Sequence, residues 1–261
     1  MVQNEFLSKF DNLILNPVTR KIYGQDEFFN VGYWSSDTQN QKEACFNLME
    51  KILEFIPEKT GTILDVGCGL GATTSYLLKY YSPADVLGIN ISSQQLERCQ
   101  QNAPNCNFMV MDAVEMKFDD NKFDNIICVE AALYFDTREK FLKEAWRVLK
   151  PGGNLVLADI ISETTEFFGG LVVPENTVKD LEAYKNLYQQ EGFEQVELAE
   201  STDECWITHY RYLKSWIQEQ FQAGVIDEET CKFNVDGIDN LLKSSLIDYV
   251  LLAARKPVDK V

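Results

Sequence analysis

The stretch ILDVGCGLGATTSYL, residues 63–77, constrains the chain more than any other. Four residues of β type, Ile63, Leu64, Asp65 and Val66, run into Gly67, Gly69 and Gly71 and then into a helical pattern carrying Leu77 and Leu78. A buried strand, a tight turn and the start of a helix are predicted. Glycines in such a turn let a ligand approach the main chain closely, and the helix behind it aims unpaired N–H groups at that ligand. A dinucleotide site would close a G-x-G-x-x-G pattern, but position 72 is alanine, so that match is imperfect. The turn alone leaves open a dinucleotide, another ligand of nucleoside type, or a tight turn that holds nothing.

From residue 62 onward strand and helix patterns alternate. The runs 63–66, 86–90, 107–111, 123–129 and 154–160 are short, nearly all apolar and without strict alternation. That is the pattern of strands covered on both faces of a parallel sheet. Helices are predicted over 71–81, over 93–102 behind a Ser92 cap, and over 137–149, the last closed by Pro151-Gly152-Gly153. Strand–helix alternation gives right-handed crossovers and hence an α/β, doubly wound sheet. Upstream, residues 41–57 place Ala44, Leu48, Ile52 and Phe55 on one helical face and end at Pro57. Residues 1–40 form an extension of weak helical periodicity with an aromatic run, Phe28 to Trp34, which either covers the core or serves as a lid over a pocket. Beyond an irregular stretch at 161–175, helices are predicted over 175–191, 205–221 and 236–245, with strands over 194–199 and 247–254. With no repeat, low-complexity tract or linker, the expectation is one domain over 1–261: a lid segment (1–40), a core (60–161), a roof (162–235) and a closing helix and strand (236–261).

Composition narrows the partners. A net charge of −17 argues against nucleic acid, whose phosphates need a concentrated Lys/Arg surface. No apolar run approaches the roughly 18 residues of a membrane span, and the N-terminus does not read as a secretory signal. The seven cysteines are odd in number, scattered and without a C-x-x-C pair, so neither a disulfide framework nor a metal site is expected, and a cytoplasmic location is. Cys68 and Cys128, in apolar contexts, are expected to be small buried hydrophobes.

Doubly wound sheets bind ligands beyond the carboxyl ends of their strands. The groups at those ends are the glycine turn, Asn90-Ile91-Ser92-Ser93, Asp112-Ala113 and Glu130-Ala131-Ala132-Leu133-Tyr134. A polar side chain after the second strand can bind ribose hydroxyls, an acid after the third can accept from an adenine amino group, and Ile91 can pack on the adenine face.

The ordered series DVGCGLG, LGINIS, VMDAVEMKFDDNKFD and EAALYFDTREKFLKEAWRVLKPGGNLVLADI resembles the motifs of class I S-adenosylmethionine (SAM)-dependent methyltransferases acting on small molecules, over about residues 60–161. FNVGYW extends the likeness, toward the natural-product and lipid-type group, to about residue 23. A nicotinamide enzyme would normally place Asp or Glu where this chain has Asn90. The resemblance implies a Rossmann-like, mostly parallel seven-stranded sheet with an antiparallel last strand. It assigns SAM to Asp65, Gly67, Cys68, Gly69, Asn90, Ile91, Asp112 and Ala113, with Gln95 and Glu130 in second rank and Tyr33 and Tyr23 closing over the methionine end. S-adenosylhomocysteine would be the product.

Many relatives place a histidine where Tyr134 stands, which leaves the usual base in doubt. His209, the one histidine, shares a helical stripe with Trp206, Leu213 and Trp216; such a residue is more often structural, yet its ordinary pKa would let it take a hydroxyl proton. Tyr134 would orient the acceptor instead, or simply fill the pocket wall. Trp34, Tyr134, Trp206 and His209 are the expected substrate contacts, and the aromatic roof of Phe167, Phe168, Trp206, Tyr210, Tyr212 and Trp216 suggests an apolar or aromatic-bearing acceptor. The leading expectation is in-line methyl transfer to a hydroxyl of a specialised metabolite, followed by N- and then C-methylation. A nicotinamide-dependent oxidoreductase and a non-catalytic nucleoside-binding module are the alternatives from other classes.

Overall fold

The computed structural model describes residues 2–17, 20–21, 27–243 and 247–258, without the side chains of residues 2–5 and 167. Helices α1 (Val2–Ile14) and α2 (Gln41–Glu54) come before the sheet. Then follow β1 (Ile63–Val66), α3 (Ala72–Leu77), β2 (Val86–Asn90), α4 (Ser93–Asn102), β3 (Asn107–Val110), β4 (Phe123–Val129), α5 (Arg138–Val148) and β5 (Leu149–Ser162). The C-terminal part comprises α6 (Leu181–Gln190), β6 (Glu194–Glu200), α7 (Thr208–Gln222), α8 (Glu228–Leu242) and β7 (Ile247–Arg255).

The strands form one sheet in the order β3-β2-β1-β4-β5-β7-β6. Strands β1 to β5 pair in parallel, and β7 runs antiparallel to both β5 and β6, as the resemblance implies. Strand order reverses between β1 and β4, which opens a crevice at their carboxyl ends. Neighbouring residues face opposite layers: Ile63, Val156 and Leu251 enter the core beneath α2, whereas Leu64, Leu157 and Leu252 join Phe141, Leu142 and Tyr184 on the other side. Over the central strands both layers are closed, so both residues of each pair are apolar; edge strand β3 departs from the expected two-sided cover, with Met109 and Val110 exposed.

Several boundaries differ from the sequence expectation. Strand β5 starts at Leu149 because Pro151-Gly152-Gly153 is a bulge inside the strand; the register jumps from Phe123↔Leu149 to Asn125↔Asn154, and Gly152 has φ +79°. Helix α6 starts at Leu181, where Asp180 accepts from the Ala183 N–H, and 174–176 is a separate turn opened by Pro174. Helix α8 starts eight residues before the predicted 236, at Glu228, behind an Asp227 cap that accepts from the Thr230 N–H. The weak periodicity near the N-terminus becomes the full helix α1.

One buried polar cluster fixes α5 and α6 to β5. The Arg138 Nε donates to Asp159 Oδ2 at 2.9 Å, its Nη2 donates to the Ile160 carbonyl at 2.7 Å, and the Tyr184 hydroxyl donates to the same Asp159 oxygen at 2.8 Å. Arg138 is 4% exposed and Asp159 fully buried. Removing the cation leaves a buried carboxylate without its partner, a loss of about 3–5 kcal/mol. Arg138→Met is therefore expected to lower unfolding free energy by that amount in urea titrations, and an unchanged midpoint would contradict this account.

Candidate functional site

Asp65 closes β1 beneath the glycine turn. Its Oδ2 accepts the Thr73 hydroxyl at 2.7 Å and the Thr74 hydroxyl at 2.6 Å, tying the first turn of α3 to the strand. Burial raises its carboxyl to about 6, against the pull of the two hydroxyls. Asp65 does not reach the cavity; it holds the turn from below. Gly67 has φ +72°, and a Cβ there would lie 2.5 Å from the Ala131 Cβ, so the loop after β4 presses directly on the turn. At Gly69 a Cβ would meet nothing within 4 Å, because that residue faces open space.

A cavity of about 1660 Å³ opens at these strand ends, lined by Gly67, Cys68, Gly69, Asn90, Ile91, Gln95, Asp112, Ala113, Glu130 and Tyr134. The sequence thus identified one contiguous wall. Asn90 Oδ1 accepts from the Ser92 N–H and its Nδ2 donates to Gln95 Oε1 at 2.9 Å, so the two amides are held as a pair. Asp112 Oδ1 accepts from the Val114 N–H at 3.1 Å. Asn30, which sequence reasoning passed over, also lines the cavity; it is 3% exposed, and its Oδ1 has no hydrogen-bond partner among the described residues. Its place in the FNVGYW run was the available signal.

The structure assigns the lid differently from the sequence. Tyr33 and Trp34 lie outside the cavity lining: Lys51 sits 5.8 Å from the Tyr33 ring, and Trp34 packs 4.6 Å from Tyr212 with its indole N–H on the Val31 carbonyl. Both side chains clamp the C-terminal helices and α2 to the core. Tyr23 lies outside the described residues. The cover is α1, whose Phe6, Leu7, Phe10, Leu13 and Ile14 line the cavity. Phe10 meets the Tyr134 ring edge-on at 5.0 Å, and Asp11 Oδ1 accepts from Gln95 Nε2 at 2.7 Å.

The roof contributes Trp206, His209, Tyr210 and Leu213 from α7 and the turn before it, with Phe168 beside them. Tyr212 faces Trp34 instead, and the Phe167 side chain lies outside the described set. His209 is 2% exposed, and its Nδ1 lies 2.9 Å from Gln41 Oε1. Because the Gln41 amide nitrogen donates to the Asn30 and Val31 carbonyls, its Oε1 is the acceptor and His209 carries the proton on Nδ1. Burial lowers the imidazole pKa to about 3. At neutral pH this ring is an uncharged wall and hydrogen-bond acceptor, not the proton carrier the sequence suggested. Tyr134 lines the cavity, and burial first and the nearby Tyr210 second push its phenol well above the usual range.

Glu130 follows β4 with φ +51°. Its Oε1 accepts from the Val31 N–H at 2.9 Å and from the Tyr249 hydroxyl at 2.7 Å. Burial raises its carboxyl to about 7, the Tyr249 and Val31 donors lower it, and the Asp159 charge raises it further. Among the described residues no cluster of His, Cys, Asp or Glu is arranged to hold a metal ion, and no helix is long and apolar enough to cross a membrane.

A methyltransferase-domain family profile matches residues 64–157, the segment that builds this wall. The chain is a class I SAM-dependent methyltransferase. Erythromycin 3''-O-methyltransferase of Saccharopolyspora erythraea is 28% identical over an alignment covering 88% of this methyltransferase and 84% of that protein. The 27-O-demethylrifamycin SV methyltransferase of Amycolatopsis mediterranei is 26% identical, covering 88% and 90%. In fold, the methyltransferase superposes on Haemonchus contortus phosphoethanolamine N-methyltransferase 2 with a TM-score of 0.74 at 20% identity, covering 97% of this chain and 60% of that one.

The His209 environment carries a pH signature. The folded methyltransferase keeps this ring neutral down to about pH 3, whereas the unfolded chain protonates it near 6.5. As pH falls the unfolded state takes up the proton first, so this contribution to stability is present above 6.5 and is lost toward 3. His209→Gln is expected to lose less stability than the wild type between about pH 6.5 and 4.5 in denaturant titrations. Parallel slopes would refute the neutral, buried assignment.

Proposed function

We propose that this small-molecule methyltransferase transfers the methyl group to a hydroxyl of a bulky, largely apolar acceptor. The observation that carries this reading is the division of the cavity. Amide and carboxylate groups stand at the β1–β3 ends, and an aromatic wall of Tyr134, Trp206 and Tyr210 stands beyond β4. A volume of about 1660 Å³ exceeds the roughly 300–1,000 Å³ of ordinary ligand pockets, leaving room for a large second molecule beside the cofactor. The O-methyltransferases of erythromycin and rifamycin among the relatives support an acceptor of that kind.

The residues fit SAM. The turn at Gly67 and Gly69 offers bare backbone to the ribose and methionine portions, and the unpartnered Asn30 Oδ1 suits an ammonium donor. In this reading Asn90 would hold the ribose, Ile91 and Ala113 would cover the adenine faces, and Asp112 would accept from its amino edge. Cys68 and Gln95 complete that wall, Gln95 through its bond to Asn90. Bound SAM supplies a methyl group activated on a positively charged sulfur. The protein then has to align the acceptor oxygen with the C–S bond, and orientation of this kind contributes up to roughly 7–11 kcal/mol. Tyr134, Trp206 and Tyr210 wall the acceptor, His209 Nε2 offers it a hydrogen-bond acceptor, and α1 excludes water.

Thermal-shift assays are expected to show stabilisation by SAM and S-adenosylhomocysteine and none by NADH or NADPH; the opposite pattern would overturn the reading. Asn30→Ala is expected to weaken S-adenosylhomocysteine binding about tenfold, near 1.4 kcal/mol, in calorimetric titration. With methyl-labelled SAM and a panel of hydrophobic alcohols, phenols and amines, label is expected in the hydroxyl compounds. Label found only in amines would replace the proposed acceptor class.

A further inference from the structure

We propose that Glu130 takes the proton from the acceptor hydroxyl during methyl transfer. This rests on the hydroxyl-methylating reading given above.

The side chain is held in place from one side only. Oε1 receives both protein donors, the Val31 N–H at 2.9 Å and the Tyr249 hydroxyl at 2.7 Å, while Oε2 has no partner among the described residues. The residue lines the cavity and keeps solvent-accessible surface there, although protein walls it all round. Its main chain is fixed as well: the Glu130 N–H donates to the Ala158 carbonyl at 2.7 Å, and the adjoining Ala131 abuts Gly67 of the glycine turn. A carboxylate oxygen therefore stands beside the turn, at the boundary between its backbone and the aromatic wall. An acceptor bridging the two would find it there.

The three other titratable groups at the aromatic wall are unsuited to the task. Burial pushes the phenols of Tyr134 and Tyr210 well above their usual range, so they stay protonated. His209 is held far below neutrality, so it keeps no proton that it takes. Glu130, at about 7, is ionised often enough to accept a proton and basic enough to hold it. The groups facing it are Tyr249 from β7, Asp159 from β5 with its partner Arg138 from α5, Tyr134 from its own loop, and Cys205 and Tyr210 from the roof.

The step balances without a further reactant. The acceptor O–H donates to Glu130 Oε2; as an oxygen lone pair forms the new bond to the methyl carbon, the C–S bond breaks and its electron pair stays on sulfur. The hydroxyl proton ends on Glu130 and passes to solvent once the products have left.

Four measurements test the assignment. Infrared titration of the ligand-free protein is expected to show a protonated carboxyl band disappearing near neutral pH, absent in Glu130→Gln. In Tyr249→Phe the same transition is expected at higher pH, because that hydroxyl favours the ionised carboxylate. Turnover of un-ionised alcohols by Glu130→Gln is expected to fall about 10²–10⁴-fold and to lose its acid limb. Its affinity for S-adenosylhomocysteine should stay close to that of wild type, and an electron-poor phenol already ionised at assay pH should restore turnover. An unchanged pH profile in Glu130→Gln overturns the proposal, as does equal loss on both acceptor classes together with weakened S-adenosylhomocysteine binding, which would make Glu130 a cofactor contact. If the wild type binds no SAM or S-adenosylhomocysteine, the parent reading fails and this one with it. A folded wild type that binds them, beside a variant of unaltered profile, removes Glu130 alone.

Discussion

The bond from one buried carboxylate to two hydroxyls sets the course of the chain at its ligand-facing edge. Asp65 receives Thr73 and Thr74 on a single oxygen, so the end of β1 and the first turn of α3 cannot separate without exposing a charge to an apolar interior. The turn between them is thereby given a fixed path. Along it, Gly67 meets the loop after β4 and Gly71 meets Cys99 of α4, where a Cβ would come 2.8 Å from the Cys99 Cα. Neither position has room for a side chain, and both have positive φ. The carboxylate's grip thus reaches Asn90 on one side and Glu130 on the other, through packing and not through any bond of its own.

One cause, removal from water, moves the cavity's ionisable groups in opposite directions. It raises Glu130 and Tyr134 and lowers His209, in each case favouring the uncharged form. What distinguishes Glu130 is compensation: two donors on one oxygen return part of the lost solvation and leave the group near neutrality. His209 has a single amide partner, which serves its neutral form, and nothing nearby supports a charge. Residue type alone pointed to the histidine. Surroundings point to the glutamate.

The sheet was legible because strands buried on both faces must be apolar at consecutive positions, as Ile63 and Leu64 are. The cavity wall was legible because a doubly wound sheet places its ligand at the strand ends, so Asn90, Asp112 and Glu130 could be named before their geometry was known. Directions of side chains were not. Trp34 has the composition of a pocket residue, but its ring points to Tyr212, and only the contact separates those roles. The Tyr249–Glu130 bond joins residues 119 positions apart, beyond any local pattern. In helix α1 the apolar residues Phe6, Leu7, Phe10, Leu13 and Ile14 do recur at helical spacing, but nothing in that spacing tells a face that meets a cavity from one that meets a packed core; the Pro-Gly-Gly bulge hid the first residues of β5 behind what reads as a turn.

Helix α1 touches both halves of the cavity. Asp11 reaches Gln95 next to Asn90, while Phe10 rests on Tyr134 at the aromatic wall. One element thus ties two walls that are far apart in sequence: a displacement of this helix would disturb the amide pair at the strand ends and the aromatic wall beyond β4 together. A substitution on its inner face, at Phe10 or Asp11, would therefore be felt on both sides of the cavity.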